Sequence, residues 1–309
     1  MLSNFLEMQT KDAVHILDLN FLGGSSSIAS FLIPSEDGLI LIETGPETTY
    51  SHLIKAIRQS GYDPDEIRHV LLTHIHFDHA GAAWKFAQKG AMVYVHPVGL
   101  PHLENPEKLW NSAKMIYKDD MDRLWGKMEP IDSKFLTAAN DGDLLKIGEH
   151  EFRIHYTPGH AIHHNSYQLD DIVFTGDVAG VKILGGPVMP PCPPPDINIQ
   201  DWKNSIQKLR ALNPKLLFLT HYGAVSNIPE HFDLLEKMLD DWSGWMKPYY
   251  DAQTPAEEIM PKFMEYTKNQ LKSQSVSDED TERYEHANPS WMSVAGLLRY
   301  WKLKEQGRI

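Results

Sequence analysis

Thr73-His74-Ile75-His76-Phe77-Asp78-His79-Ala80-Gly81 is the most informative segment of this 309-residue sequence. It places three imidazoles and a carboxylate directly after the apolar run His69-Val70-Leu71-Leu72, which predicts a buried strand. Buried imidazoles and carboxylates need partners, and one divalent cation can satisfy several of them. Because His74 and His76 are two residues apart, extended backbone would present both on one side, where they can share an ion.

Three more motifs of this kind follow predicted strands. They are Tyr156-Thr157-Pro158-Gly159-His160, Phe174-Thr175-Gly176-Asp177 and Leu219-Thr220-His221-Tyr222-Gly223. α/β folds collect site residues where strands end, at one edge of the sheet. Imidazole and carboxylate donors together suit zinc and similar borderline metals. The candidate metal ligands are therefore His74, His76, Asp78, His79, His160, Asp177 and His221.

The flanking sequence predicts alternating strands and helices. Strands are predicted within 14–17, 30–33, 39–42, 69–73, 92–95, 144–147, 152–156, 172–174 and 215–220, and helices over 49–59, 80–88 and 202–212. Residues 97–135 predict loop and helix, whose Trp110, Tyr117 and Trp125 belong either to a pocket wall or to the core. The proline-rich segment 185–196 predicts a stiff loop, with Val188 and Met189 as an apolar wall.

Strand signals end near residue 220, and the sequence from residue 230 onward predicts helix. We therefore expect a catalytic domain over 1–240 and a helical appendage over 241–309. The aromatic residues of the appendage, among them Trp242 and Trp245, suit either a homodimer contact or a pocket lid.

The four motifs, in this order, resemble the metallo-β-lactamase superfamily. The resemblance covers about residues 13–225 and implies an α/β fold, a four-layer αββα sandwich, here with a C-terminal helical appendage. It also implies two metal ions, one held by His74, His76 and His160, the other by Asp78, His79 and His221, with Asp177 bridging them. The full ligand set looks like that of glyoxalase II, the lactonases and the processing ribonucleases. Glu43 stands where the family usually has aspartate, from which we expect a modest adjustment and no loss of metal.

The expected chemistry is metal-assisted hydrolysis. Two divalent ions, zinc in the first instance with iron or manganese as alternatives, lower the pKa of a bridging water to about 7, which makes hydroxide available. The sequence has no Gly-x-Ser-x-Gly elbow, and its single cysteine, Cys192, matches no ligand motif. Asp78 is the candidate for carrying a proton to the leaving group. His163, His164 and Tyr222 lie near the ligands in sequence and have either structural or substrate roles.

An ester, thioester or lactone is the expected small-molecule substrate. The segment Val178-Ala179-Gly180-Val181 lacks the tyrosine that acyl-homoserine lactonases use after the bridging aspartate, which weakens that assignment. The basic end 297–309 suits the carboxylates of a glutathione thioester or is an ordinary amphipathic helix. Two other classes stay open, a metal-dependent nuclease or phosphodiesterase and a mononuclear iron persulfide dioxygenase.

Composition narrows the partners and the location. With 29 basic and 42 acidic residues the formal net charge is −13, so nucleic acid is a disfavoured partner. One cysteine excludes an intrachain disulfide. The first residues lack a basic segment followed by an apolar run, and no stretch approaches the roughly 20 apolar residues of a membrane span. We therefore expect a cytoplasmic protein without a membrane partner.

Overall fold

The computed structural model describes residues 14–309, so the segment 1–13, part of the argument for a cytoplasmic location, lies outside the described residues. Six strands form the first sheet, in chain order: β1 (His15–Asp18), β2 (Ala29–Ile33), β3 (Leu39–Ile42), β4 (Ile67–Leu71), β5 (Met92–Val95) and β6 (Leu136–Ala138). β1, β2 and β3 pair antiparallel, whereas β3 to β6 pair parallel. The carboxyl ends of the parallel strands therefore share one edge.

The second sheet also has six strands in sequential order: β7 (Leu144–Ile147), β8 (His150–Tyr156), β9 (Asn165–Leu169), β10 (Ile172–Phe174), β11 (Leu216–Leu219) and β12 (Gly223–Val225). Its pairs are antiparallel except for β10 with β11. Both sheets are therefore mixed.

Eleven α-helices lie in the described chain: α1 (Tyr50–Gln59), α2 (Phe77–Ala80), α3 (Ala83–Ala87), α4 (Leu100–Glu104), α5 (Glu107–Tyr117), α6 (Met121–Leu124), α7 (Ile199–Ala211), α8 (Ile228–Asp251), α9 (Ala256–Ser273), α10 (Asp278–Ala287) and α11 (Ser290–Glu305). None of these helices combines the length and the apolar composition that a bilayer span requires.

The alternation of side chains along β3 shows how the layers form. Leu39 and Leu41 pack into the cluster shared with α1 and α3, whereas Ile40 and Ile42 pack into the cluster between the two sheets. Successive side chains of a strand point to opposite faces, so a strand that is apolar throughout must be covered on both. β3 is buried at every position, as this argument requires.

Aromatic side chains fill the space between the sheets. Phe31 of the first sheet contacts Phe174 and Phe218 of the second, with ring centroids 5.4 and 5.3 Å apart. On the outer face of the second sheet, Trp202 of α7 is fully buried and its Nε1 donates to the Val178 carbonyl at 2.7 Å. Helices, sheet, sheet and helices thus form the predicted four-layer αββα sandwich, which is confirmed.

The C-terminal helices share a core with the second sheet. α8 runs without interruption through residue 240, so the expected domain boundary falls inside a helix. Trp242 of α8 packs edge-on against Phe263 of α9 with centroids 5.0 Å apart, and both belong to the cluster that includes Trp202. The helical appendage is therefore present, and its division from the catalytic part at 240 stays a proposal.

Several elements differ from the sequence prediction. The helix expected over 80–88 is two short helices, α2 and α3, because Ala82 leaves helical geometry after Gly81. The strands β6, β9 and β12 were not predicted. Asn165-Ser166-Tyr167-Gln168-Leu169 has weak alternation, yet all of its residues except Gln168 are buried. Its neighbours β8 and β10 supply the pairing that makes it a strand.

Candidate metal centre and its pocket

The seven predicted ligands come together at one edge of the two sheets. β4 leads into His74 and His76, and α2 carries Asp78 and His79. The remaining three follow strands of the second sheet: His160 after β8, Asp177 in a 3-10 turn after β10, and His221 after β11. The structure therefore brings these residues together, although residues 74 and 221 are far apart in sequence.

The first group is formed by His74, His76 and His160. Nδ1 of His76 lies 2.9 Å from Nε2 of His74 and 3.1 Å from Nε2 of His160. His74 and His160 are fully buried, and His76 is partly exposed. Three ring nitrogens therefore converge on one point.

The second group is formed by Asp78, His79 and His221. Oδ2 of Asp78 lies 3.6 Å from Nε2 of His79 and 3.3 Å from Nε2 of His221. Asp177 contacts both groups, since its Oδ2 is 3.2 Å from Nε2 of His160 and its Oδ1 is 3.3 Å from Nε2 of His79. Its carboxylate thus lies between the two groups.

The donor atoms fit a bound cation. Nε2 of His79, Nε2 of His221 and Oδ1 of Asp177 are buried without a hydrogen-bond partner. Such orphaned polar atoms are costly unless something else satisfies them. Two ligands each about 2.0–2.1 Å from a tetrahedral zinc ion would lie roughly 3.4 Å apart. The neighbouring donor pairs described above are 2.9 to 3.6 Å apart, the shortest being His74 with His76 and the longest Asp78 with His79.

The opposite nitrogens of the histidine rings are held by the protein. Nδ1 of His160 lies 2.9 Å from the Pro191 carbonyl, and Nδ1 of His221 lies 2.7 Å from the Ser27 carbonyl. Carbonyl oxygens only accept, so each of these Nδ1 atoms donates and each Nε2 is left with a lone pair facing the cluster. This arrangement orients the rings as metal ligands need.

Beside the cluster lies a cavity of about 860 Å³ whose floor includes His76, Asp78, His160 and Asp177. Its walls come from residues 97–135, the proline-rich loop and the C-terminal helices. A cavity of this size suits a small-molecule ligand. The candidate metal centre therefore opens into a pocket able to hold a substrate.

Comparison with known proteins identifies the family. The family model described as metallo-beta-lactamase superfamily matches residues 23–221. The chain belongs to this superfamily. Protein ST1585 of Sulfurisphaera tokodaii, described as metallo-beta-lactamase fold-containing, is 32% identical over 166 residues, which are 52% of this chain and 63% of that one. Its crystal structure superposes with a TM-score of 0.60 and 26% identity, covering 74% of this chain and 85% of that chain.

Two further relatives carry the names of hydrolases. N-acyl homoserine lactonase AttM of Rhizobium johnstonii is 27% identical over 37% of this chain and 40% of its own, and hydroxyacylglutathione hydrolase of Klebsiella pneumoniae is 27% identical over 40% of this chain and 37% of its own. The chain thus spans between 37% and 63% of the length of these three curated relatives. TTHA1429 of Thermus thermophilus, 17% identical with a TM-score of 0.66, shares the fold over 95% of this chain and 94% of its own.

Glu43, at the position where the superfamily usually has aspartate, contacts the segment 73–79, which carries four of the candidate ligands. Its buried carboxylate accepts a hydrogen bond from the Thr73 hydroxyl at 2.5 Å, and the same oxygen lies 3.3 Å from Nδ1 of His79. This contact places a negative charge behind His79, the side on which a carboxylate raises the basicity of a ligating imidazole. The longer side chain therefore reaches the site.

Replacing Glu43 by glutamine is expected to lower metal affinity about 10–100-fold, because the charge behind His79 is lost while the shape is kept. The measurement is competition for metal with a chelator, at increasing chelator concentration. Glu43→Asp is the matched control, since it keeps the charge on a shorter side chain. Its metal affinity should lie between those of Glu43→Gln and the unchanged protein. Equal affinity of Glu43→Gln and the unchanged protein would contradict this role.

Electrostatics divide the ligands into two kinds. Burial lowers the pKa of His74 well below its usual range and that of His76 to about 3, so these rings are neutral at pH 7. Burial raises the pKa of Asp78, but nearby His79 and His221 outweigh it and bring the pKa to about 2. The carboxylate of Asp177 raises the pKa of His79, against the effect of burial. His74 and His76 are therefore neutral and Asp78 is ionised, the forms that bind cations, whereas His79 faces carboxylates that favour its protonated form until a cation replaces the proton.

The structure distinguishes the environments of His163, His164 and Tyr222, whose roles the sequence left open. His164 is a structural support: its Nε2 accepts from the backbone N–H of Asp177 at 3.2 Å and its Nδ1 lies 2.9 Å from the Thr157 hydroxyl. The Tyr222 hydroxyl donates to Asp18 at 2.9 Å and does not line the pocket. His163 does line the pocket, and its buried Nδ1 has no hydrogen-bond partner.

Some expected pocket residues are placed differently. Tyr117 and Trp125 line the cavity, whereas Trp110 does not. The expectation for Val188 and Met189 is wrong, because both are buried in the core beside the second sheet. The prolines that follow them in the loop, among them Pro191 and Pro193, form the wall instead. Cys192 is fully buried outside the ligand groups, and burial raises the pKa of its thiol.

Proposed function

We propose that this protein is a dinuclear metal-dependent hydrolase acting on an ester, thioester or lactone carbonyl. The observation that carries the proposal is the position of Asp177, whose two carboxylate oxygens contact separate groups of buried donors. The similarity to proteins named as a lactonase and as hydroxyacylglutathione hydrolase supports carbonyl hydrolysis. Membership of the superfamily supports metal-dependent chemistry.

Each ligand has a proposed place. His74, His76 and His160 would hold one ion, and Asp78, His79 and His221 the other, with Asp177 between them. Five imidazoles and two carboxylates favour zinc, with iron and manganese as alternatives. When bound, such ions would make hydroxide available at neutral pH and polarise the substrate carbonyl.

The chain's own residues position the substrate and move protons. Asp78 lines the pocket and its side chain is 20% exposed, unlike that of the buried Asp177. We therefore assign to Asp78 the transfer of a proton to the leaving group, because it faces the space in which that group would lie. The lowered pKa of Asp78 keeps its carboxylate ionised at neutral pH.

The proposal predicts two metal ions per chain in protein purified without added metal. Chelation should abolish hydrolysis of a panel of esters, thioesters and lactones, and adding zinc back should restore it. Elemental analysis and the same assays on one sample provide the measurement. A single iron per chain, with oxygen uptake and no hydrolysis, would replace this proposal by the dioxygenase alternative.

The nuclease alternative has less support. A net charge of −13 repels polyanions, and among the described residues that line the pocket, leaving out the candidate ligands, carboxylates outnumber lysine and arginine. An RNA cleavage assay in the same panel tests it directly. A cytoplasmic location, the absence of a membrane partner and the homodimer remain predictions.

A further inference from the structure

An unbroken row of aromatic rings leads away from the candidate metal centre. Phe77, next to the ligand Asp78, stacks on Trp125 with centroids 6.0 Å apart. Trp125 meets the edge of Tyr117 at 5.1 Å, and Tyr117 meets Trp291 at 5.3 Å. The row therefore begins at the metal-ligand helix α2, crosses residues 97–135 and ends on α11. Trp291 brings the appendage into the wall of the pocket.

The mouth of the same pocket is apolar too. Four of its lining residues are large hydrophobic side chains exposed by 38 to 48%: Leu22, Val98, Ile116 and Ile162. Isolated exposed hydrophobic residues are ordinary, but a group around one opening marks a binding site. A ligand that covers these side chains would remove them from water, which is favourable.

The charged residues that line the pocket do not form an anion-binding site. Outside the candidate ligands the lining contains three cations, Lys108, Lys118 and Arg123, and four carboxylates, Asp119, Asp120, Asp196 and Glu285. Arg123 is already paired with Asp120 at 2.9 Å. A substrate bearing two or more carboxylates or phosphates would thus meet a lining with no excess of positive charge.

We infer that the substrate is an uncharged ester, thioester or lactone with a long apolar acyl group, which lies along the aromatic row between residues 97–135 and α11. This inference rests on the proposed function, because it names the substrate class of that site. Trp291 and Tyr117 are its specificity-determining residues. They hold the acyl group while the ligands at the floor act on the carbonyl.

The first experiment measures how hydrolysis depends on acyl length. Burying one methylene is worth up to about fourfold in binding, so kcat/KM should rise at least about 100-fold from p-nitrophenyl acetate to the octanoate. Trp291→Ala and Tyr117→Ala should each reduce this ratio about tenfold or more, and Trp291→Phe should keep most of it. Trp301→Ala is the matched control, since Trp301 lies on the same helix and does not line the pocket.

A matched pair of thioesters tests the charge. S-octanoyl-N-acetylcysteamine is uncharged, whereas S-octanoylglutathione carries the same acyl group and two carboxylates. We expect the uncharged thioester to have the higher kcat/KM. A clear preference for the glutathione thioester would overturn the inference that the substrate is uncharged.

Binding of an inert ketone separates this inference from the proposed function. Calorimetric titration with 2-nonanone should show binding that Trp291→Ala weakens about tenfold or more and that Trp301→Ala leaves unchanged. If the ketone fails to bind, or binds equally to Trp291→Ala, the inference is wrong even when esters are hydrolysed. If the ketone binds through Trp291 but no ester, thioester or lactone is hydrolysed, the proposed function fails and the apolar site stands.

Discussion

Replacing Asp177 by asparagine is expected to remove metal and hydrolysis together. Oδ1 of Asp177 lies 3.3 and 3.5 Å from Nε2 of His79 and His221, and Oδ2 lies 3.2 Å from Nε2 of His160. An amide has the same shape but one acceptor oxygen and no charge, so it cannot serve both groups. We expect metal content to fall from the proposed two ions per chain to one or fewer. We expect kcat/KM to fall by about a thousandfold or more, a barrier increase of about 4 kcal/mol.

Elemental analysis and hydrolysis of one ester by the same preparation provide the measurement. Asp240→Asn is a suitable control, because Asp240 is an exposed aspartate on α8 whose partner is Lys203, and a surface ion pair contributes little. Retention of both ions and of full activity by Asp177→Asn would show that the carboxylate does not join the two groups.

The second large effect is expected for Gly296→Ala in α11. A Cβ atom at this position would lie 1.9 Å from the Cys192 carbonyl oxygen, which is backbone and cannot move alone. Alanine is favoured over glycine inside a helix by up to about 1 kcal/mol, but the clash opposes this gain. Overpacking of a well-packed site costs about 1–3 kcal/mol, occasionally more. We expect a net loss of about 2 kcal/mol and a Tm lower by roughly 3 °C.

Gly244→Ala is the matched control for the lower Tm that we expect for Gly296→Ala. Gly244 lies inside α8, and a Cβ there would meet no atom within 4 Å. Helix propensity alone then acts, and Tm should rise slightly. Thermal unfolding of the two variants beside the unchanged protein gives the comparison. A rise in Tm for Gly296→Ala would mean that α11 does not pack against the proline-rich loop as described.

The candidate ligands could be predicted because each follows an apolar strand. Local sequence marked the strand ends, and parallel strands bring their carboxyl ends to one edge. The predicted helix began at residue 80, whereas α2 begins at Phe77 and itself carries Asp78 and His79. Sequence patterns therefore located this site through short segments whose structure depends mainly on neighbouring residues.

The hydrogen bonds behind the ligands could not be predicted. His221 is held by the Ser27 carbonyl, 194 positions away, and His160 by the Pro191 carbonyl, 31 positions away. Any residue has a carbonyl, so no side-chain signal marks these partners. The role of His164 is similar, because its neighbour in space is a backbone N–H of Asp177. The motif indicated that His164 is near, but only the fold shows what it touches.

The wall of the pocket was predicted only in part. Met189 and Pro191 are two residues apart in one loop, yet Met189 faces the core and Pro191 faces the cavity. Both residues are apolar, so the sequence is equally compatible with a position in the core and with one in the cavity wall. Trp291 was missed altogether, because its contact with Tyr117 joins two segments separated by more than 170 positions. Residues that line a pocket between distant segments leave no periodic pattern in the sequence.

The uninterrupted course of α8 bears on how this architecture could be recombined. An exchange of C-terminal parts between relatives at residue 240 would split a helix and uncover Trp242 and Met246, both of which are buried. Residues 252–255, between α8 and α9, are mostly exposed and join two complete helices. A crossover there would leave the apolar face of α8 in place for a new set of helices to cover. The interchangeable unit in this protein would accordingly begin near residue 255.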